Sequence, residues 1–248
     1  PVSAANSLVG AGSDDRVGQD GVTILTNGNY VVKSSQWGAT RGAVTWASGT
    51  TGLTGTVSSS NSLVGVAADD MIGSQVVKLT NGNYVVVSPY WNNGVTVDAG
   101  AVTWASGATG LVGSISATNS LVGIAPDDNV GIGEVTPLTN GNYVVSSFWW
   151  DRGAVVDAGA VTWGSGTTGI VGPVTAANSL VGERANDSVG AIVTPLTNGN
   201  YVVSSYLWDN AGVGNAGAAT WGDGATGISG FITSANSLVG TLANNQVG

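Results

Sequence analysis

Neither cysteine nor histidine occurs anywhere in the 248 residues. Their absence removes thiolate and imidazole metal sites and every catalytic group built on Ser-His or Cys-His. Disulfide staples are excluded as well. Charge is scarce: six Lys and Arg stand against 15 Asp and Glu, for a net charge of −9. Six scattered cations make no basic stripe, so nucleic acid is not an expected partner, and an anionic membrane surface is disfavoured for the same reason. No apolar run approaches the roughly 20 residues of a membrane helix, so no membrane insertion is expected. The chain opens at Pro1 with no signal peptide or initiator Met in view, and the expectation is a piece of a longer precursor.

What the chain does contain is glycine, 40 residues of it, among many Val, Thr and Trp. That mixture suits short strands and tight turns. The string NSLVG occurs at Asn6–Gly10, Asn61–Gly65, Asn119–Gly123, Asn178–Gly182 and Asn236–Gly240. LTNGNYVV occurs at Leu25–Val32, Leu79–Val86, Leu138–Val145 and Leu196–Val203, and each copy is followed by a GAVTW-like segment. The chain therefore reads as one array over 1–248, with repeats at 6–60, 61–118, 119–177 and 178–235 and partial repeats at 1–5 and 236–248. Length varies only between the motifs, which marks those places as loops.

Within a repeat, Asn-Gly between two β-prone runs signals a hairpin with positive φ at both central residues. In the third repeat the expected strands are Val135–Thr139, Asn142–Trp150 and Ala158–Trp163, with a further strand leading into NSLVG, about four antiparallel strands in all. Tyr143 and Val145 point to one face of the second strand, Val144 and Phe148 to the other. A strand with large apolar groups on both faces belongs in a sheet covered on both sides. The expected fold is all-β: tandem four-stranded antiparallel sheets packed face to face like β-propeller blades, in a closed ring or an open superhelical stack. A β-solenoid of three coils per repeat is the alternative, although regular hairpins count against it.

Two sets of tryptophans recur. Trp46, Trp104, Trp163 and Trp221 close the apolar GAVTW strand and read as core. Trp37, Trp91, Trp150 and Trp208 end a strand beside a polar loop; packing between sheets is the plain reading of them, and stacking on a sugar ring is the ligand-binding one. An Asp/Asn pair follows each NSLVG, and Asp15, Asp70, Asp128 and Asp187 are the candidate ligands for calcium, the one cofactor for which the residues offer a place. The D-x-[DN]-x-D-G order of a calcium loop is missing, and Asn stands in the later copies, which suits a turn. Glu134, Glu183 and Asp223 are unrepeated and stand alone, so no carboxylate pair is singled out for catalysis.

The order NSLVG, then the Asp/Asn pair, then LTNGNYVV, then GAVTW resembles a repeat of very large exported bacterial proteins, similar to filamentous haemagglutinins. The resemblance spans the whole chain, with GAATW at Gly217–Trp221 as a small departure. It implies an extracellular or cell-surface location and supplies no catalytic or binding residues. The expectation is a non-enzymatic structural repeat of a bacterial fibre, stalk, adhesin or biofilm matrix. Its partners would be neighbouring repeats or copies of itself. A lectin-like propeller binding surface glycans, one site per repeat, is the alternative.

Overall fold

The computed structural model describes residues 1–248 and is all-β, with a single four-residue helical turn at Trp37–Thr40. Three of its residues, Gly38, Ala39 and Thr40, have positive φ (64, 60 and 64). It closes the tryptophan-to-tryptophan loop of repeat one, where the chain is four residues shorter than in the other repeats. No helix is long and apolar enough to cross a membrane.

The third sheet illustrates the plan. Glu134–Pro137, Tyr143–Ser147 and Ala160–Gly164 form an antiparallel meander. The fourth strand, Ser179–Val181, is the NSLVG segment of the next repeat. A fifth, the two residues Gly230–Phe231, pairs with it in parallel and also lies in that next repeat. The first and second sheets have the same five-stranded order, the fourth has four strands, and at the start Leu8–Val9 pairs only with Gly55–Thr56. Each of the four hairpin sheets is thus made by two successive repeats, and no barrel closes. This explains why four hairpins need five NSLVG copies: the fifth, at Ser237–Val239, completes the fourth sheet.

The expected long strand Asn142–Trp150 is shorter in fact. It ends at Ser147, and the chain turns through Phe148 and Trp149 so that Trp150 swings inward. The hairpin also differs from the expected two-residue turn. Gly28, Gly82, Gly141 and Gly199 have φ of 86–93°, while the preceding Asn residues stay at negative φ. Gly28 N–H closes the turn on Leu25 C=O, and Leu25 N–H bonds Asn29 C=O, giving a three-residue loop with glycine in its left-handed position. Asn27 is used differently: its Oδ1 accepts the Asn29 N–H at 3.1 Å, an Asx-type turn.

The strand expected to be covered on both faces is covered on both. Val85 and Val87 pack forward with Tyr143, Val145 and Trp150 of the next repeat. Tyr84 and Val86 pack backward with Leu25, Val31 and Val44 of the previous one. The same layer recurs between the third and fourth sheets. Every residue of Tyr84–Ser88 and Tyr143–Ser147 is buried. At about 1.5–3 kcal/mol for each fully buried large apolar side chain, these layers are the main cohesive term of the array.

Candidate functional site

The most repeated polar constellation lies at the seam between consecutive repeats, and a single glycine carbonyl is its centre. Gly107 C=O accepts three hydrogen bonds from the preceding repeat: Asn27 Nδ2 at 2.8 Å, Asn29 Nδ2 at 2.8 Å and Trp46 Nε1 at 2.9 Å. Gly166 C=O receives Asn81, Asn83 and Trp104 in the same way. Gly224 C=O receives Asn140, Asn142 and Trp163. The second Asn of each hairpin also uses its Oδ1, which accepts the glycine N–H of its own repeat, as from Gly107 to Asn83 at 3.0 Å. A continuous asparagine–glycine ladder therefore runs along the array.

Glycine is required at its rungs. A Cβ on Gly107 would sit 1.7 Å from Gly82 O, and one on Gly110 would sit 2.5 Å from the Trp46 Cβ across the seam. The hairpin needs Asn-Gly-Asn because both amides and the close approach of the next loop depend on it.

Of the two tryptophan sets, the one at the strand ends takes the packing place that is its plain reading, and the GAVTW set expected in the core is the one that departs. Trp91, Trp150 and Trp208 are 4–5% exposed, inside the layers between sheets. Their faces are enclosed by apolar side chains and offer nothing to a sugar. Their indole N–H groups have no hydrogen-bond partner, and neither has that of Trp37, which is half-buried under the Arg41 guanidinium. The GAVTW tryptophans are the partly exposed ones: Trp46, Trp104 and Trp163 are half-buried at the seams, and Trp221 is 52% exposed. Shallow grooves open beside Trp104 and Trp163, each edged by Thr and Asn side chains. No signal in the sequence distinguishes the two sets, because the seam bond of one requires the position of the following repeat.

The Asp candidates come to lie beside the buried tryptophans. Asp70 is fully buried; its Oδ2 accepts the N–H groups of Val66 and Ala67, both at 2.8 Å, and its Oδ1 accepts that of Asn92, directly after Trp91. Asp15, Asp128 and Asp187 make the equivalent bonds, to Gly38, Asp151 and Asp209 respectively. Both carboxylate oxygens thus carry structural bonds, and no group of three or more acidic side chains gathers to hold a metal ion. The first member of the pair has a separate task, since Asp69, Asp127, Asn186 and Asn244 have φ of 59–63°. That conformation suits Asp and Asn, which is why they interchange there.

The carboxylates differ by surroundings. Burial pushes Asp128 and Asp187 up, against their backbone N–H donors, and the Asp151 and Asp209 carboxylates add to the rise. Asp15 also feels burial, but its backbone donors and the Arg41 guanidinium outweigh it, and its carboxyl is held below the usual range. Asp98 is raised by burial, then by Asp127 and Asp69 beside it; Asp157 is raised by burial and by Asp151.

Set against known families, residues 1–19, 24–74, 78–132, 137–191 and 195–248 match the model of the family described as "Repeat of unknown function (DUF5650)". The four longer segments each start at the last residue of a first meander strand and run to the end of the loop after NSLVG, and so carry the second and third meander strands and the NSLVG strand of one sheet. No curated protein matches the chain.

Proposed function

The chain belongs to the DUF5650 repeat family, and on that premise we propose that it is a non-enzymatic structural array, an open stack of propeller-like blades within an extracellular bacterial fibre, stalk, adhesin or biofilm matrix. The observation that carries this reading is the seam: the same three donors meet the same glycine carbonyl at three successive junctions. The repeated use of the most distinctive residues is to join one unit to the next. Sharing each sheet between two repeats serves the same end, because no unit separates without breaking a β-ladder.

Small-angle scattering on the 248-residue chain tests the shape. A compact globule of this length has a radius of gyration of about 18 Å. A clearly larger value with rod-like particles supports the open stack. A value near 18 Å with ring-shaped particles refutes it and favours a closed propeller.

A second reading, glycan binding, has the seam grooves in its favour, since half-buried Trp104 and Trp163 there lie beside Thr and Asn hydroxyl and amide groups. Quenching or a blue shift of tryptophan emission on titration with oligosaccharides, lost in Trp104→Ala, would support it.

A further inference from the structure

The internal junctions share their seams but differ in the turns that precede the buried tryptophans, which read Pro89-Tyr90, Phe148-Trp149 and Tyr206-Leu207 in successive repeats. Between the second and third repeats this region is plugged. Asn129 is 7% exposed there, and its Nδ2 donates to the Pro89 carbonyl at 3.0 Å, with Ile132 three residues further on. Between the third and fourth repeats the same places hold the smaller Ser188 and Ala191. Phe148 stands where Pro89 does, and its carbonyl accepts no hydrogen bond from the chain. The result is a cleft of about 340 Å³ lined by Phe148, Trp149, Ser188, Ala191, Tyr206 and Leu207. It has the size of a small-molecule site and shares no residue with the seam grooves.

Its walls are aromatic and held in place. Phe148 and Trp149 meet edge to face, with 5.3 Å between ring centroids and 82° between planes. Phe148 is seated on Gly133, where a Cβ would come within 2.6 Å of its Cδ1. Trp149 is 45% exposed with a complete repeat on either side of it, so the opening owes nothing to the ends of the chain. No Lys or Arg lines the cleft. Arg152 donates instead to the Gly182 and Glu183 carbonyls, while Asp151 and Asp209 follow two residues after Trp149 and Leu207. Ring faces and a carbonyl oxygen without a donor both present negative potential, in a chain of net charge −9, so the cleft favours a cation.

We propose that this cleft binds a small organic ammonium ion, its N–H donating to the Phe148 carbonyl and its alkyl part lying between the Trp149 and Tyr206 rings. The N–H takes the part that Asn129 Nδ2 plays at the preceding junction. An inorganic cation gains nothing from apolar walls and meets no carboxylate among the lining residues. A neutral sugar would stack on the same rings, but only the Ser188 and Tyr206 hydroxyls and one carbonyl would serve its several hydroxyl groups. The proposal adds one ligand to the array and depends on neither its overall shape nor its location.

Nuclear magnetic resonance titration of the full chain with butylammonium chloride tests this, read at the Trp149 indole and the Ser188 and Ala191 amides against sodium chloride of equal strength. The expected result is a saturable shift at all three, with a Kd on the order of 1 mM for so few ligand atoms. Trp149→Ala should weaken binding about two- to fivefold, read at Ser188 and Ala191. Ser188→Asn with Ala191→Ile copies the plugged junction, so that variant should keep its melting curve and lose the shifts. No saturation in the natural chain, unchanged binding in the plugged variant, or equal affinity for neutral 1-butanol overturns the proposal. Saturation by maltose but not by butylammonium also overturns it and gives the cleft to sugars.

Discussion

Replacing Asn81 and Asn198 by alanine isolates the strength of one seam bond, because the two residues differ in little but the presence of a following repeat. Asn81 Oδ1 accepts the Asn83 N–H at 3.1 Å, and Asn81 Nδ2 donates to Gly166 C=O at 2.8 Å. Asn198 Oδ1 accepts the Asn200 N–H at the same 3.1 Å, but its Nδ2 has no carbonyl to meet. Asn81→Ala therefore loses both bonds and Asn198→Ala only the local one. The Gly166 carbonyl keeps Asn83 and Trp104 as donors in the first variant, so no buried acceptor is orphaned. The excess cost of Asn81→Ala is then that of one net hydrogen bond, about 1 kcal/mol. With a urea slope of about 3 kcal/mol per M, the two midpoints should differ by roughly 0.3 M. The measurement is a urea melt, with hydrogen exchange of the Gly107 and Gly166 amides as a local readout in case the array melts in stages. Equal midpoints, or Asn198→Ala the more costly, would refute the seam bond as a cohesive element.

Three further outcomes follow from the same geometry. Trp91→Ala should lower stability by about 3–5 kcal/mol through the cavity it leaves between two sheets, whereas Trp221→Ala, at a half-exposed end position, should change it by under about 1 kcal/mol; thermal melts that reverse this order contradict the placement of the two tryptophan sets. Mild acidification should raise the melting temperature. Asp98, Asp128, Asp157 and Asp187 have folded-state pKa values raised above the unfolded value, so the folded chain holds more protons between the two and its stability falls as pH climbs through that window. Asp15 acts in the opposite sense, its contribution being lost only as pH drops below the ordinary carboxylate range; a melting temperature that declines steadily from pH 7 to 5 would count against the raised set. Millimolar calcium, or its removal by chelator, should leave the melting curve in place, since the buried carboxylate oxygens already accept backbone N–H bonds; a rise of several degrees with calcium would mean those loops rearrange around the ion.

Much of the fold is legible in the sequence because it rests on local chemistry. The hairpin at Asn-Gly-Asn and the doubly apolar strand after it follow from turn preference and from side chains alternating between faces. The parts that escape depend on partners distant in the chain. Trp104 and Trp150 carry the same indole at similar strand ends, yet one donates across a seam to Gly166 and the other is sealed between sheets. Strand length alone misplaces Trp150, since the turn at Phe148 and Trp149 reverses the alternation. The fifth strand is only two residues long, Gly172–Pro173 in the second sheet, and its parallel pairing with the NSLVG strand Leu121–Val122 of its own repeat has no composition signature. The Asp pair reads as one feature, whereas Asp69 sets a backbone turn and Asp70 binds a loop to the residue after Trp91.

The sharing of every sheet between two repeats has a consequence for how such a gene can change. Because each junction repeats the same pairing, a duplicated or deleted segment of one full period leaves every remaining junction matched, wherever in the period the recombination falls. Unequal crossing-over between copies would lengthen or shorten the stack in whole units without a misfolded intermediate sequence, so length becomes the trait most freely available to selection, while the residues within each unit stay bound by their neighbours.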